Sequence, residues 1–140
     1  MYQYHYRLTD RYQRPIVSLA VLADDRAEWR PEPYTAELWG CRVHFAFRWR
    51  KLLEFSDEFL EGSENSVATV IAAQRAAQRT VGDPAQRQRR KMQLVRQLYT
   101  RGYDRQQVLD LFRLIDWQMA LPLSLEIAFQ KEVVELEKEQ

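Results

Sequence analysis

Apolar side chains near the start of the chain first follow a helical pattern and then that of a strand. Tyr4, Leu8 and Tyr12 recur every four residues, which predicts an amphipathic helix that Pro15 ends. Residues Ile16–Ala23 are then almost entirely apolar, with one hydroxyl among eight side chains. Such a run is typical of a strand covered on both faces, which requires neighbouring strands and helices. We therefore expect this strand to lack part of its surroundings within the chain.

The clearest periodic pattern lies between Glu37 and Arg50. Apolar residues from Trp39 to Trp49 alternate without exception with basic or small residues over twelve positions. This alternation predicts one long amphipathic strand that bends at Gly40. Its polar face would carry four basic residues, Arg42, His44, Arg48 and Arg50. These side chains either contact phosphate groups or form the solvated face of an edge strand, where charge discourages aggregation.

Two polar segments separate the predicted strands. Asp24 and Asp25 follow the apolar run and indicate a turn, with metal-binding carboxylates at a strand end as the alternative. Trp29–Tyr34 contains two prolines, which favour extended backbone in the residues before them. We expect an irregular surface crossing there.

Beyond Phe55 the pattern becomes helical, with caps and terminating residues at regular intervals. Four helices are predicted: Val67–Thr80 after the cap Ser66, a helix from Pro84 to Arg101 before Gly102, a third between Asp104 and Leu121, and Leu123–Glu139. The chain is therefore predicted to be α+β. A strand-containing region covers residues 1–55, and a helical region of about four helices covers residues 56–140.

The amino-acid composition excludes several classes of protein. The 140 residues include 21 Lys or Arg and 20 Asp or Glu, so no overall field favours nucleic acid or a membrane. The single cysteine, Cys41, excludes an internal disulfide and fits a reducing compartment. No apolar run reaches membrane-spanning length, and no secretory signal is recognisable. We therefore expect a cytoplasmic protein without a membrane partner.

Charge is nevertheless unevenly distributed along the helical region. Residues 75–113 contain ten Lys or Arg and three Asp, whereas residues 123–140 contain five Glu and two Lys. The two segments can pair with each other or with a partner. For a DNA-binding module, the candidate contacts in the helical region are Arg87, Arg89, Arg90 and Lys91.

The junction Arg101–Asp104 has the outline of a helix-turn-helix. Arg105, Gln106 and Gln107 would then lie at the start of the second helix, and their side chains can read base edges. The alternative is an ordinary pair of antiparallel amphipathic helices joined at a glycine.

Several short sequence segments, spread along the whole chain, are similar to those of a known protein family. In the strand region they are Tyr4–Tyr12, Pro15–Asp25, Trp29–Pro31 and Leu38–Cys41. In the helical region they are Leu94–Tyr99, Gly102-Tyr103, Leu111–Trp117 and Leu121-Pro122. In this order the segments resemble the Rpn family. These are the recombination-promoting nuclease or putative transposase proteins of the PD-(D/E)XK nuclease superfamily.

The resemblance implies a partial PD-(D/E)XK-like strand layer made of a helix, a buried strand and a long amphipathic strand. It also implies that the metal-binding residues of the family lie upstream of the helix that opens this chain. Neither Glu-x-Lys nor Glu-x-Gln, the motifs of the family's metal-binding strand, occurs in the sequence. Because metal-dependent phosphodiester cleavage needs carboxylates to hold the ion, we expect no catalytic, cofactor-binding or metal residue here. Magnesium is expected only in a completed nuclease.

Three functions follow from this resemblance and from the residues. The first is a catalytically incomplete polypeptide acting through protein contacts, because an exposed strand edge is a template for pairing with another chain. Its partner would be a second copy of itself, or a full-length Rpn-type nuclease that it restrains. The second is part of an active magnesium-dependent DNA endonuclease whose N-terminal half lies outside this sequence. The third is a DNA-binding module that uses the basic helices.

Overall fold

The computed structural model describes residues 1–138, which form two compact units. The first unit spans Met1–Glu54, and the second begins at Phe55. Strands occur in the first unit and five α-helices in the described part of the second, which confirms the α+β class. Within residues 1–138, no helix combines the length and apolar character needed to cross a membrane.

Two separate pairs of strands form the first unit together with one helix. Its elements are α1 (Tyr2–Tyr12), β1 (Leu19–Leu22), β2 (Tyr34–Leu38), β3 (Cys41–Phe45), β4 (Arg48–Lys51) and a 3-10 turn (Leu52–Glu54). Strand β1 pairs with β4 in parallel, and β2 pairs with β3 in antiparallel orientation. Each sheet therefore has two strands.

A tight turn divides the predicted long strand. Trp39 and Gly40 have φ values of 51° and 78°, and Leu38 pairs with Cys41 across them. Two consecutive residues with positive φ are the signature of a type I′ hairpin, which reverses the chain. The prediction of one bent strand over residues 37–50 is therefore wrong. A two-residue turn preserves the alternation of apolar and polar positions, so periodicity could not reveal it.

Strand β1 is shorter and more exposed than its composition predicts. It covers four residues, and its Leu19 and Val21 side chains are 69% and 70% exposed. Ala20 and Leu22, on the opposite face, are only partly buried. The prediction of a strand buried on both faces is therefore wrong for this unit, because only one strand pairs with β1 and one of its faces stays open.

The second unit consists of helices whose ends follow local capping signals. They are α2 (Asp57–Gly62), α3 (Ser66–Arg79), α4 (Pro84–Thr100), α5 (Arg105–Gln118) and α6 (Leu123–Lys138). Asp83 caps α4 and Asp104 caps α5 through their side chains. Asn65 caps α3 in place of the predicted Ser66, and α2 was not predicted. Glu139, the predicted end of the last helix, lies outside the described residues.

Helices α3 to α6 enclose a continuous hydrophobic core. Val95 and Leu98 of α4 are fully buried, as are Ala73 of α3 and Phe129 of α6. The core cluster consists of Ala73, Met92, Leu94, Val95, Leu98, Leu111, Ile115, Met119, Phe129 and Val133. Burial of each large apolar side chain contributes about 1.5–3 kcal/mol, so this cluster supplies the main stabilisation of the second unit.

Candidate functional site

One face of the β1–β4 sheet is uncovered and combines apolar with basic side chains. Leu19 is level with Arg48, and Val21 is level with Arg50. Side chains level in register project from the same face of a sheet, and all four are exposed. We call the set of Leu19, Val21, Arg48 and Arg50 the open face.

The reverse face of this sheet contains a buried lysine. Lys51 is 1% exposed, and its Nζ lies 2.9 and 3.1 Å from the two carboxylate oxygens of Asp24. It also donates to the carbonyl oxygen of Trp29 at 2.9 Å. The hydrogen bond from Lys51 is the main cause that lowers the pKa of Asp24 below its ordinary value of 3.8. Buried ammonium groups need such partners, so Lys51 organises this side of the sheet.

Asp24 belongs to a turn, as its position after the apolar run predicts. Its side chain accepts a hydrogen bond from the backbone N–H of Arg26 at 3.0 Å, which confirms the turn interpretation. Within residues 1–138, no three His, Cys, Asp or Glu side chains lie close enough together to hold a metal ion.

The apolar face predicted for helix α1 is exposed to solvent. Tyr4, Leu8 and Tyr12 are all exposed, and we call them the helix stripe. The opposite side contacts the hairpin, where the ring of Tyr2 stacks on that of Tyr34 with centroids 4.7 Å apart. No residue of α1 is buried, so the helix contributes little core to the unit.

The four basic residues predicted to form one stripe lie in two different sheets. Arg42 and His44 belong to β3, where Arg42 donates to Glu37 across the hairpin at 2.8 Å. Arg48 and Arg50 belong to β4 and lie on the open face. The prediction of a single phosphate-facing stripe is therefore wrong, because β3 ends at Phe45 and β4, which begins at Arg48, belongs to the other sheet.

A cleft rich in arginine lies among α2, α3 and α4 of the second unit. It has a volume of about 480 Å³. Its guanidinium groups come from Arg79, Arg90, Arg96 and Arg101, and its carboxylates come from Asp57 and Glu61. Apolar parts of the lining are Leu60, Ala72, Ala76 and Leu94. We call this the arginine cleft.

Asp57 is the internal anion of the arginine cleft. Its carboxylate oxygens lie 3.0 Å from Nη1 of Arg75 and 2.6 Å from Nη1 of Arg79. The hydrogen bond from Arg79 is the main cause that lowers the pKa of Asp57, and the charges of Arg75 and Arg90 act in the same direction. The Asp57 side chain is nevertheless 49% exposed, so water reaches this carboxylate.

The predicted nucleic-acid contacts of α4 have three different environments. Arg89 and Arg90 are exposed, and Arg90 lines the arginine cleft. Arg87 is half-buried and donates to Thr80 Oγ1 and to the carbonyl oxygen of Ala77 at 3.1 and 3.0 Å. Arg87 therefore mainly joins α3 to α4.

Lys91 is fully buried, so its prediction as a nucleic-acid contact is wrong. Its ammonium lies 2.6 Å from Asp116 and 3.1 Å from Glu126, and 4.2 Å from the ring centroid of Phe129. The sequence contains the signal for this burial, because Lys91 precedes the core residue Val95 by four positions on α4.

The residues predicted to read bases lie at the start of α5. Gln107 completes a capping box with Asp104, and Gln106 donates to Asp110 at 3.0 Å. These side chains already have local roles in the helix, and base reading by them stays a prediction.

Comparison of the chain with protein-family models, with curated proteins and with solved structures finds no match. The resemblance to Rpn proteins therefore stays a prediction. The open face of the first unit and the arginine cleft of the second unit are the two features that bear on function.

Proposed function

We propose that this chain acts through protein contacts and that its first unit associates with a second copy of the same chain. The observation that carries the proposal is the scarcity of core in residues 1–54. Lys51 and Leu52 are the only buried residues there, whereas the helix stripe and the apolar part of the open face are exposed. A folded unit of this size normally buries a larger share of its apolar surface.

The β1–β4 sheet has the properties of an incomplete layer. Parallel sheets occur almost only with both faces covered, and two-stranded sheets are marginal alone. Among residues 1–138, strand β1 pairs with β4 on one side only, so its other edge has no strand partner. An apolar strand with an unpaired edge is a template for adding another strand.

A symmetric pair satisfies the edge of β1 and joins the two open faces into one surface. If β1 pairs with β1 of a second copy in antiparallel orientation, each Leu19 lies near Val21 of the other copy, and the two β4 strands become the outer edges. Arg48 and Arg50 then stay apart from those of the second copy, which avoids repulsion between like charges. The result is a four-stranded sheet with a continuous apolar strip.

A full-length Rpn-type nuclease is the alternative partner. The family resemblance implies that such a protein carries the same helix and strands, so it would offer a matching edge. This chain would then restrain the nuclease by occupying the edge.

Sedimentation equilibrium at micromolar concentration tests self-association. The informative variant is Val21→Glu, because the new carboxylate lies beside Arg50 in the parallel register and the single chain therefore keeps its fold. The matched control is Val81→Glu in the second unit, where valine is 77% exposed. We expect the mass of a dimer or larger assembly for the wild type and for Val81→Glu, and a monomer for Val21→Glu.

Two results would contradict self-association. One is a well-folded wild-type monomer throughout the micromolar range, and the other is an identical mass for wild type and Val21→Glu. A monomer that binds a full-length Rpn-type nuclease, and loses that binding in Val21→Glu, would instead support the alternative partner.

A further inference from the structure

We propose that the arginine cleft binds the phosphate group of a ligand and that Asp57 is the internal anion with which this phosphate competes. This inference concerns the second unit and is independent of the association proposed for the first. It rests on the arrangement of guanidinium groups around a half-exposed carboxylate in a cleft of ligand size.

The arginines of the cleft differ in how many of their N–H donors already have hydrogen-bond partners. Arg101 donates to the carbonyl oxygens of Leu60 and Glu61 at 3.1 and 2.8 Å, so it ties α2 to α4. Arg79 is held by Asp57. Arg90 contacts only the side-chain oxygen of Gln93 among its hydrogen-bond partners within residues 1–138, at 3.2 Å. Arg96, also in the lining, has no hydrogen-bond or ion-pair partner among residues 1–138. Arg90 and Arg96 are therefore the guanidiniums with the most donors available to a ligand.

The chemistry of the lining favours phosphate over a nucleobase. A guanidinium presents its N–H donors in a planar fork that matches two oxygens of one phosphate. The cleft lining contains no aromatic side chain, so it offers no platform on which a base could stack. Three amides, from Gln86, Gln93 and Gln97, supply further neutral donors and acceptors.

The size of the cleft is that of a small-molecule site. Its volume of about 480 Å³ falls in the range of pockets that hold organic ligands. Leu60, Ala72, Ala76 and Leu94 provide apolar contact for the organic part of a ligand. Small phosphorylated molecules belong to this class, and a phosphate of a nucleic-acid strand presents the same group.

Asp57 sets the affinity for such a ligand. Its carboxylate already occupies Nη1 of Arg79 at 2.6 Å, and a phosphate dianion must displace it to reach that donor. Displacement is feasible because Asp57 lies in the first turn of the six-residue helix α2 and is half-exposed. Removal of the Asp57 charge therefore frees Arg79 and strengthens phosphate binding, whereas removal of the Arg90 charge weakens it.

Titration calorimetry at low salt tests this assignment with the full chain. The probes are inorganic phosphate, ATP and a mixed-sequence DNA duplex, and the variants are Asp57→Asn and Arg90→Gln. Arg113→Gln is the matched control, because Arg113 is an exposed arginine of α5 outside the cleft. We expect Asp57→Asn to tighten binding about tenfold and Arg90→Gln to weaken it about tenfold, as for one charged hydrogen bond. Arg113→Gln should bind like the wild type.

The three probes distinguish the source of the phosphate. Binding of ATP without the duplex assigns a small phosphorylated ligand, and binding of the duplex without ATP assigns a nucleic-acid backbone. No binding of any probe to Asp57→Asn, or equal effects of Arg90→Gln and Arg113→Gln, would overturn the proposal. If Asp57→Asn does not fold by circular dichroism, Glu61→Gln removes the other carboxylate of the cleft and should also tighten binding.

Failure of this proposal is distinguishable from failure of self-association. Val21→Glu leaves the second unit unchanged, so we expect it to bind the probes like the wild type whatever its mass. Asp57→Asn should in turn keep the mass of the wild type.

Discussion

The two units use similar apolar side chains in different ways. In the second unit, Leu98, Phe129 and their neighbours meet in one core that is closed to water. In the first unit, Leu19, Val21 and the helix stripe lie on the surface. Large exposed apolar patches on a folded protein mark sites of interaction. Apolar composition alone therefore does not place a side chain in a core, because burial also requires a covering element.

The same contrast applies to the two buried lysines. Lys91 lies beside an extensive hydrophobic core and contacts the ring of Phe129. Lys51 is itself one of the few buried residues of its unit, and Asp24 and the Trp29 carbonyl are its partners. In the first unit an ion pair is one of the few buried interactions, whereas in the second unit the ion pairs of Lys91 lie beside an extensive apolar core.

The largest expected difference between the units comes from truncating one leucine in each. Leu98→Ala removes a fully buried side chain and should lower the free energy of unfolding of the second unit by about 2–5 kcal/mol. Leu19→Ala removes an exposed side chain and should cost less than about 0.5 kcal/mol in the single chain. Urea denaturation followed by circular dichroism at low protein concentration measures both. Equal costs would contradict the assignment of the core to the second unit.

A smaller effect is expected at the buried lysine of the second unit. Asp116→Asn combined with Glu126→Gln leaves the Lys91 ammonium without a carboxylate and should cost about 2–3 kcal/mol. This is less than for a fully enclosed pair, because Asp116 is partly exposed.

Lys91→Met is the matched control for that double variant. It removes the charge at similar volume, and its carboxylate partners can then be hydrated, so its cost should stay below about 1.5 kcal/mol. The urea concentrations at the unfolding midpoints of Lys91→Met and of the double variant measure the two costs. A Lys91→Met cost above that of the double variant would contradict the role of an unpaired buried charge.

The smallest effects are expected from pH, and they separate the two units. Asp24 and Asp57 both have lowered pKa values in the native chain, so the native state binds fewer protons than the unfolded state as pH falls. Their stabilisation is fully present above the ordinary value of 3.8 and is lost as pH falls through the lower native pKa.

Asp24→Asn should flatten this acid dependence only in the first unit, and Asp57→Asn only in the second. Fluorescence in a Trp117→Phe background reports the first unit, because the other three tryptophans, Trp29, Trp39 and Trp49, lie there. Circular dichroism of the helices reports mainly the second unit, which contains five of the six α-helices among residues 1–138. An unchanged acid dependence of fluorescence in Asp24→Asn would exclude the Asp24–Lys51 pair as its source.

Much of the helical unit could be predicted because its signals are local. Asp83 with Pro84, and Asp104 with Gln107, cap helices through side chains within three positions. Helix α2 escaped prediction because six residues give less than two turns of apolar pattern.

The strands were harder to predict because their surroundings are set by distant residues. The parallel partner of Leu19 is Arg48, and no local pattern specifies that pairing. The Trp39-Gly40 turn kept the alternation intact while reversing the chain. Apolar composition correctly indicated that Leu19–Leu22 forms a strand, but it could not show that one face stays open.

The arginine cleft was only partly predictable. The charge of α4 indicated Arg90, whereas Asp57 and Arg79 meet only because α2 packs on α3. Lys91 was predicted to be a surface contact from its charge, although its spacing to Val95 places it on the inner side of α4. Charge runs therefore identify a basic helix without showing which of its charges face solvent.

Hydrogen exchange measured at two protein concentrations tests most directly whether the first unit depends on a second copy and the second unit does not. We expect the amides of β1 to be protected at tens of micromolar and to exchange rapidly at nanomolar concentration, since association stabilises only what it covers. The amides of α4 should be equally protected at both concentrations. Strong protection of β1 that does not change with concentration would contradict this dependence.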